Sequence, residues 1–277
     1  MISTACVPSW NWKPQGRLND APVLIVTNAH SAGGPWRDRI IVVTGGTSGI
    51  GREFVVHFAT GGARVIACGR NDMALRQLQT EHPTIEVVQC DIALRPNVLA
   101  LVNTIRNRYG VVDVLVNNAG IMERVDLLEE SVSDERIAHE IAVNLTGPIL
   151  LTRRLLPLLR SARSPMIIMV TSGYALLPAT RAPTYSATKA GLRSFTMALR
   201  RQVRDVGIRV VEVLPPLVDT PATRALSKAK MSPAVLVDQV LRDISHGKDE
   251  IMPAKVRLLP MLMRLAPSLA ARLVAES

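Results

Sequence analysis

Thr44-Gly45-Gly46-Thr47-Ser48-Gly49-Ile50-Gly51 is the stretch on which the fold turns. The short β-branched run Ile40-Ile41-Val42-Val43 precedes it, and a helical spacing of apolar residues follows over 50–60. Strand, glycine-rich turn and helix in direct succession form a unit suited to a pyrophosphate. Glycine lets backbone N–H groups approach the anion without a Cβ in the way, and the helix presents its positive end. The spacing is G-x-x-x-G-x-G at Gly45, Gly49 and Gly51, which differs from the standard G-x-G-x-x-G fingerprint.

Outward from this unit the chain alternates. Strands are predicted over 64–68, 85–88, 112–116, 166–170 and 208–213, mostly as continuous apolar runs. Helices are predicted over 73–81, from Pro96 to about residue 109, over 134–145, 148–159 and 185–206. Such alternation predicts an α/β fold: one doubly wound Rossmann-type domain with a mostly parallel sheet, spanning 37–277. Residues 1–36 hold Trp10, Trp12, Trp36 and Gly33-Gly34-Pro35 without a sustained period, and are expected to be a flexible N-terminal extension. The basic, Leu- and Met-rich tail after Lys248 is expected to be a helical pair that closes the fold or contacts another subunit.

Composition narrows the class. Of 277 residues 48% are apolar and only 3% aromatic, so the core is aliphatic, as a sheet covered on both faces requires. The net charge of +10 is spread over scattered arginines, with no dense basic run interleaved with aromatics, so nucleic acid is not the expected partner. Cys6, Cys68 and Cys90 are odd in number and form no C-x-x-C, which fits a reducing compartment. His30, His57, His82, His139 and His246 lie far apart, so no metal is expected. No apolar run approaches the roughly 18 residues of a membrane span, and no leader pattern opens the chain. A cytoplasmic protein is the expectation.

Hydride transfer to a carbonyl needs a proton donor at the developing alkoxide. A phenol serves if a neighbouring ammonium favours the phenolate. Of the three tyrosines, only Tyr185 has a lysine, Lys189, one helical turn on. Ser172, thirteen residues before Tyr185, follows the fifth strand, and Asn144 lies forty-one residues upstream.

Together these residues resemble the short-chain dehydrogenase/reductase family, whose glycine turn reads T-G-x-x-x-G-I-G. The resemblance covers about residues 39–252. It implies a catalytic tetrad of Asn144, Ser172, Tyr185 and Lys189. Tyr185 would exchange the proton, and Lys189 would lower its pKa and hold the nicotinamide ribose. Ser172 would bond the substrate oxygen, and Asn144 would position a relay water. It further implies that Gly45, Thr47, Ser48, Gly49, Ile50 and Gly51 cradle the cofactor, that Asp91 meets the adenine, and that Asn117-Asn118-Ala119-Gly120 steadies the sheet with its backbone, at Asn118, against the cofactor.

The second strand ends Cys68-Gly69-Arg70 with no carboxylate, where NAD-preferring members of that family carry Asp. Arg70 offers a planar fork to a 2′-phosphate, so NADP is the expected cofactor, although Ser48 stands where some NADP-using relatives carry a basic side chain. Val218 and Thr220 would hold the carboxamide. Their loop, Pro215-Pro216-Leu217-Val218-Asp219-Thr220, replaces the family's usual P-G with P-P. It resembles a bacterial subgroup named for D-alanine esterification of teichoic acids, a role that no residue here encodes. The resemblance implies an oxidoreductase acting on a small alcohol or carbonyl, as a homodimer or homotetramer. The competing readings are a non-catalytic NADP(H)-binding sensor, an epimerase or dehydratase on the same Tyr/Lys pair, and a basic nucleic-acid binder.

Overall fold

The computed structural model describes residues 34–129, 132–224, 229–266 and 268. The predicted flexible extension lies outside them up to residue 33. Its last residues belong to the domain instead: a turn at 34–37 brings Trp36 edge-on to Phe58, ring centroids 4.8 Å apart. An indole with an aromatic wall to bury against is held by it, so the domain includes residues before 37.

Seven strands form one sheet in the order β3-β2-β1-β4-β5-β6-β7. They are β1 (Ile40–Thr44), β2 (Arg64–Gly69), β3 (Glu86–Gln89), β4 (Val114–Asn117), β5 (Met166–Val170), β6 (Arg209–Val213) and β7 (Glu250–Ile251). Every pairing is parallel. The expected mostly parallel sheet is therefore wholly so, and its two-residue last strand falls where a helical tail was expected.

The helices are α1 (Gly49–Thr60), α2 (Asp72–Glu81), α3 (Arg95–Tyr109), α4 (Asp134–Ile141), α5 (Gly147–Arg160), α6 (Pro183–Gln202), α7 (Pro233–Ser245) and α8 (Leu259–Leu265). Local chemistry sets several ends. Proline opens α3, α5, α6 and α7, where its missing N–H costs nothing. The Asn71 side chain caps α2 by accepting from Ala74 N at 3.1 Å. Between α4 and α5 the chain does not break but widens into a π turn at Ala142–Thr146.

The strand residues feed two cores by alternation. Ile40 and Val42 join Leu101, Ile105, Leu151, Leu155 and Leu192 on one face. Ile41 and Val43 join Phe54, Phe58, Leu236 and Val240 on the other. With both faces covered, the central strands β1, β4 and β5 are almost wholly apolar. Strand order reverses between β1 and β4, and there the loops beyond the strand ends part to leave a crevice. Among the described residues no helix is long and apolar enough to cross a membrane.

Candidate active site

The crevice is a cavity of about 560 Å³. Gly45, Thr47, Ser48, Gly49, Ile50, Arg70, Asp91, Asn118, Ser172, Tyr185, Lys189, Val218 and Thr220 all line it. Gly51 and Asn144, also singled out in the sequence, stand behind the wall instead.

The turn after β1 has the form that an anion needs. Gly45 (φ 65°) and Gly49 (φ 52°) occupy the left-handed region that side chains disfavour. Ser48 precedes α1 without capping it, and no acidic residue enters its first turn. The first N–H groups of α1 are thus left to a ligand. Gly51 allows the close approach behind them: a Cβ there would sit 2.1 Å from the Gly45 carbonyl oxygen and 2.4 Å from Asn118 Nδ2.

Thr44 joins this turn to the loop after β4. Its hydroxyl donates to Val116 O at 3.2 Å and accepts from Asn118 N at 2.9 Å and Ala119 N at 3.1 Å. Asn118 Nδ2 returns bonds to Thr44 O at 3.0 Å and Gly45 O at 3.3 Å. Asn118 therefore acts chiefly by fixing the turn. At the far end, Asp91 Oδ1 accepts from Ala93 N at 2.9 Å. Exposed Arg70 lies with Nη1 3.0 Å from Nε2 of His139, a residue of α4 to which the sequence reading gave no role.

The candidate reacting groups converge from three elements. Tyr185 and Lys189 share one face of α6, with Nζ 5.7 Å from the phenol ring centroid. Lys189 is buried, and Nζ donates to Val170 O at 3.0 Å at the end of β5. Burial brings its pKa down to about 8, against the opposing pull of Glu140. Burial also pushes the Tyr185 phenol up to about 12, while a hydrogen bond from Ser172 works the other way. Ser172 Oγ accepts from Tyr174 N at 3.1 Å.

Asn144 sits in the π turn and grips Ile121 twice, accepting from its N at 2.9 Å and donating to its O at 2.8 Å. It also donates to Thr188 Oγ1 at 3.3 Å. A Cβ on Gly120 would lie 3.2 Å from Asn144 Oδ1 and 3.4 Å from Lys189 Nζ, so the two side chains meet over one point.

Much of the remaining wall is apolar, with Met122, Tyr174, Leu177, Leu217, Val256 and Leu259, and Lys255 lines the cavity beside them. Val256 and Leu259 come from the tail, where they pack on Gly173 beside Ser172. Thr171, next to Ser172, is tied down by its own network. Its hydroxyl donates to buried Glu212 at 2.8 Å, and Arg193 bridges Glu212 at 2.6 Å and Glu250 at 2.5 Å. Thr44, Glu140 and this network were not anticipated from the sequence.

Comparison with known proteins agrees with the geometry. Residues 39–231 match the family described as short chain dehydrogenase. An uncharacterized oxidoreductase, DltE of Bacillus subtilis, is 35% identical over 222 residues, covering 78% of this chain and 88% of that protein. A short chain dehydrogenase from Burkholderia cenocepacia, solved in complex with NADP, superposes with a TM-score of 0.77 at 27% identity, covering 87% of this chain and 99% of the other. A 3-ketoacyl-(acyl-carrier-protein) reductase from Brucella melitensis, solved with NADH, gives 0.70 at 28% identity, covering 75% and 91%. With the glycine turn, the strand order and the family match in agreement, the chain belongs to the short-chain dehydrogenase/reductase family of oxidoreductases.

Proposed function

We propose that the chain exchanges a hydride between NADP(H) and an alcohol/carbonyl pair, with Tyr185 as the proton-transfer residue. The observation that carries this reading is the convergence of Ser172, Tyr185 and Lys189 on the cavity that begins at the uncapped end of α1. The nicotinamide, when bound, supplies or accepts the hydride. The remaining steps fall to the chain. Raised by burial, the Tyr185 phenol keeps its proton at neutral pH, the state that carbonyl reduction requires. As a C–H bond forms at the carbonyl carbon, the O–H bond of Tyr185 breaks and its proton passes to the substrate oxygen. The phenolate left behind faces the Lys189 ammonium. Ser172 donates to the same substrate oxygen, and Asn144 holds the exit of the proton relay beside Lys189.

NADP is favoured by Arg70, which follows β2 beside His139 and has no carboxylate partner among the described residues. One solved neighbour holds NADP and the other NADH, so the choice rests on that side chain. The apolar part of the wall favours an apolar carbonyl compound. Exposed Ile141 on α4 and Met197 on α6 favour pairing of subunits through those helices, as a homodimer or homotetramer. The free, buried thiols of Cys68 and Cys90 suit the cytoplasm.

The test is a screen of apolar aldehydes, ketones and alcohols followed by NADPH absorbance, with Tyr185→Phe as the blank. Turnover that survives in Y185F removes the mechanism.

A further inference from the structure

One buried acid beside the site has no part in the reaction above. Glu140 is 1% exposed, on the last turn of α4, with Oε1 accepting from Glu123 N at 2.8 Å. Asn144 follows four residues later, on the same side of the continuous helix. Both grip one short loop, Asn144 at Ile121 and Glu140 at Glu123. Lys189 Nζ comes down on the same loop from α6, at Gly120. Glu140, Asn144 and Lys189 therefore surround residues 120–123.

Charge makes this arrangement informative. Among the described residues Lys189 is the one buried cation, and the buried carboxylates are Glu140 and Glu212. Glu212 has its cation in Arg193. The other charges around Glu140 are committed elsewhere: the Glu123 carboxylate pairs with Arg136 at 2.6 Å, and His139 faces Arg70. From α6, Lys189 and Tyr185 lie within electrostatic reach of Glu140, and the pKa of each is held up by its charge. A buried ammonium with no counter-charge sheds its proton, and a neutral amine gives a phenolate no support.

We propose that Glu140 is a positioning residue, the buried counter-charge that keeps Lys189 an ammonium at neutral pH and so sets the alkaline limit of the site. It rests on the reading of Lys189 as the cation serving Tyr185 and the nicotinamide ribose. Glu140 acts across the 120–123 loop rather than by direct contact. Two unit charges about 10 Å apart, at an effective dielectric near 20, move a titration by roughly one pH unit, the scale expected of charges on either side of one short loop.

The test does not need turnover. Glu140→Gln keeps the acceptor for Glu123 N and removes the charge; Glu140→Asp keeps the charge and withdraws it by one methylene. NADPH affinity of each, followed by fluorescence from pH 6 to 10, reads the deprotonation of Lys189, with Lys189→Met as the baseline. After that baseline is subtracted, the wild-type midpoint is expected near pH 8. It should fall by about one unit in E140Q and by less in E140D. Where a substrate is in hand, the alkaline limb of kcat/KM moves by the same amount.

Unchanged midpoints, or a loss of affinity equal at every pH, would overturn the proposal and leave Glu140 a structural acceptor. Should E140Q not fold, E140D still decides, since its midpoint must lie below that of wild type. If the midpoints move as stated but no carbonyl or alcohol is turned over, the proposed reaction fails and the Glu140–Lys189 coupling stands.

Discussion

Replacing Gly51 by alanine tests whether the phosphate turn is held by close packing. The added methyl would lie 2.1 Å from Gly45 O, 2.4 Å from Asn118 Nδ2 and 2.8 Å from Gly45 C. A relaxed contact between carbon atoms is about 3.5 to 4.0 Å, so α1 or the turn has to move by about 1 Å. None of the three atoms is the end of a flexible chain, because Asn118 Nδ2 is pinned to Thr44 O and Gly45 O. Overpacking of this kind costs about 1–3 kcal/mol, and loosening the Asn118 bonds adds about 1 kcal/mol.

A total of about 3 kcal/mol corresponds to a fall in Tm of roughly 6–12 °C for a domain of this size. NADPH affinity should fall by at least about tenfold, since the first N–H groups of α1 move with the turn. Thermal unfolding by circular dichroism and fluorescence titration with NADPH read the two effects. Gly110→Ala is the control: its Cβ would meet nothing within 4 Å, and φ 68° leaves only backbone strain of about 1–2 kcal/mol, with no effect on NADPH. A Gly51→Ala protein that loses less than about 1 kcal/mol and binds NADPH normally would refute the packing argument.

Tyr185→Phe should abolish turnover while leaving NADPH affinity near wild type; parallel loss of both in titration and assay would mean that the phenol serves folding rather than proton transfer. Arg70→Asp should weaken NADP binding far more than NAD binding, because it replaces a donor fork with a charge that repels a 2′-phosphate, and equal weakening by calorimetry would remove Arg70 as the reader of that group. Thr44→Val keeps the shape but strands the N–H groups of Asn118 and Ala119, and should cost about 2–4 kcal/mol in urea unfolding. Lys189 contributes a pH slope whose sign follows from its depression below the ordinary 10.5 to about 8. Between those values the unfolded chain binds more protons, so stability rises with pH through that window. The Tm of wild type minus that of Lys189→Met should therefore climb from pH 8 to 10, and a flat difference would show that burial does not govern this amine.

The features most legible from sequence were those written in local spacing. The glycines at 45, 49 and 51 have meaning only between a strand and a helix, and both neighbours were visible as apolar runs. Tyr185 and Lys189 share a helical face by arithmetic alone. Features that depend on contacts remote in the chain were not legible. The two residues of β7 carry no period, and they are a strand only because β6 offers an open edge to them.

The π turn around Asn144 leaves no mark in a pattern of period 3.6, so the sequence showed a straight helix over 134–145 where α4 in fact ends at Ile141. The long helix begins two residues before Tyr185, at Pro183, because proline at a first turn needs no N–H partner, and it ends at Gln202 rather than 206. Glu140 looks like any helix-surface acid until the 121–123 loop covers it. Thr44 reads as the last residue of a strand, and its three hydrogen bonds reach seventy residues along the chain.

That threonine sets how separable the parts of this protein are. A single oxygen at Thr44 joins the glycine turn after β1 to the loop that runs on to Gly120, the point over which Lys189 and Asn144 meet. On the proposed function, a displacement at either end would reach the other, so the grip on the dinucleotide and the alignment of the reacting groups would be joined. Arg70 is held less firmly: it is exposed, its guanidinium meets His139, and its carbonyl accepts from the Gln89 side chain at 3.1 Å. If Arg70 reads the cofactor as proposed, the choice of dinucleotide can be altered at the periphery, whereas the parts joined through Thr44 change together.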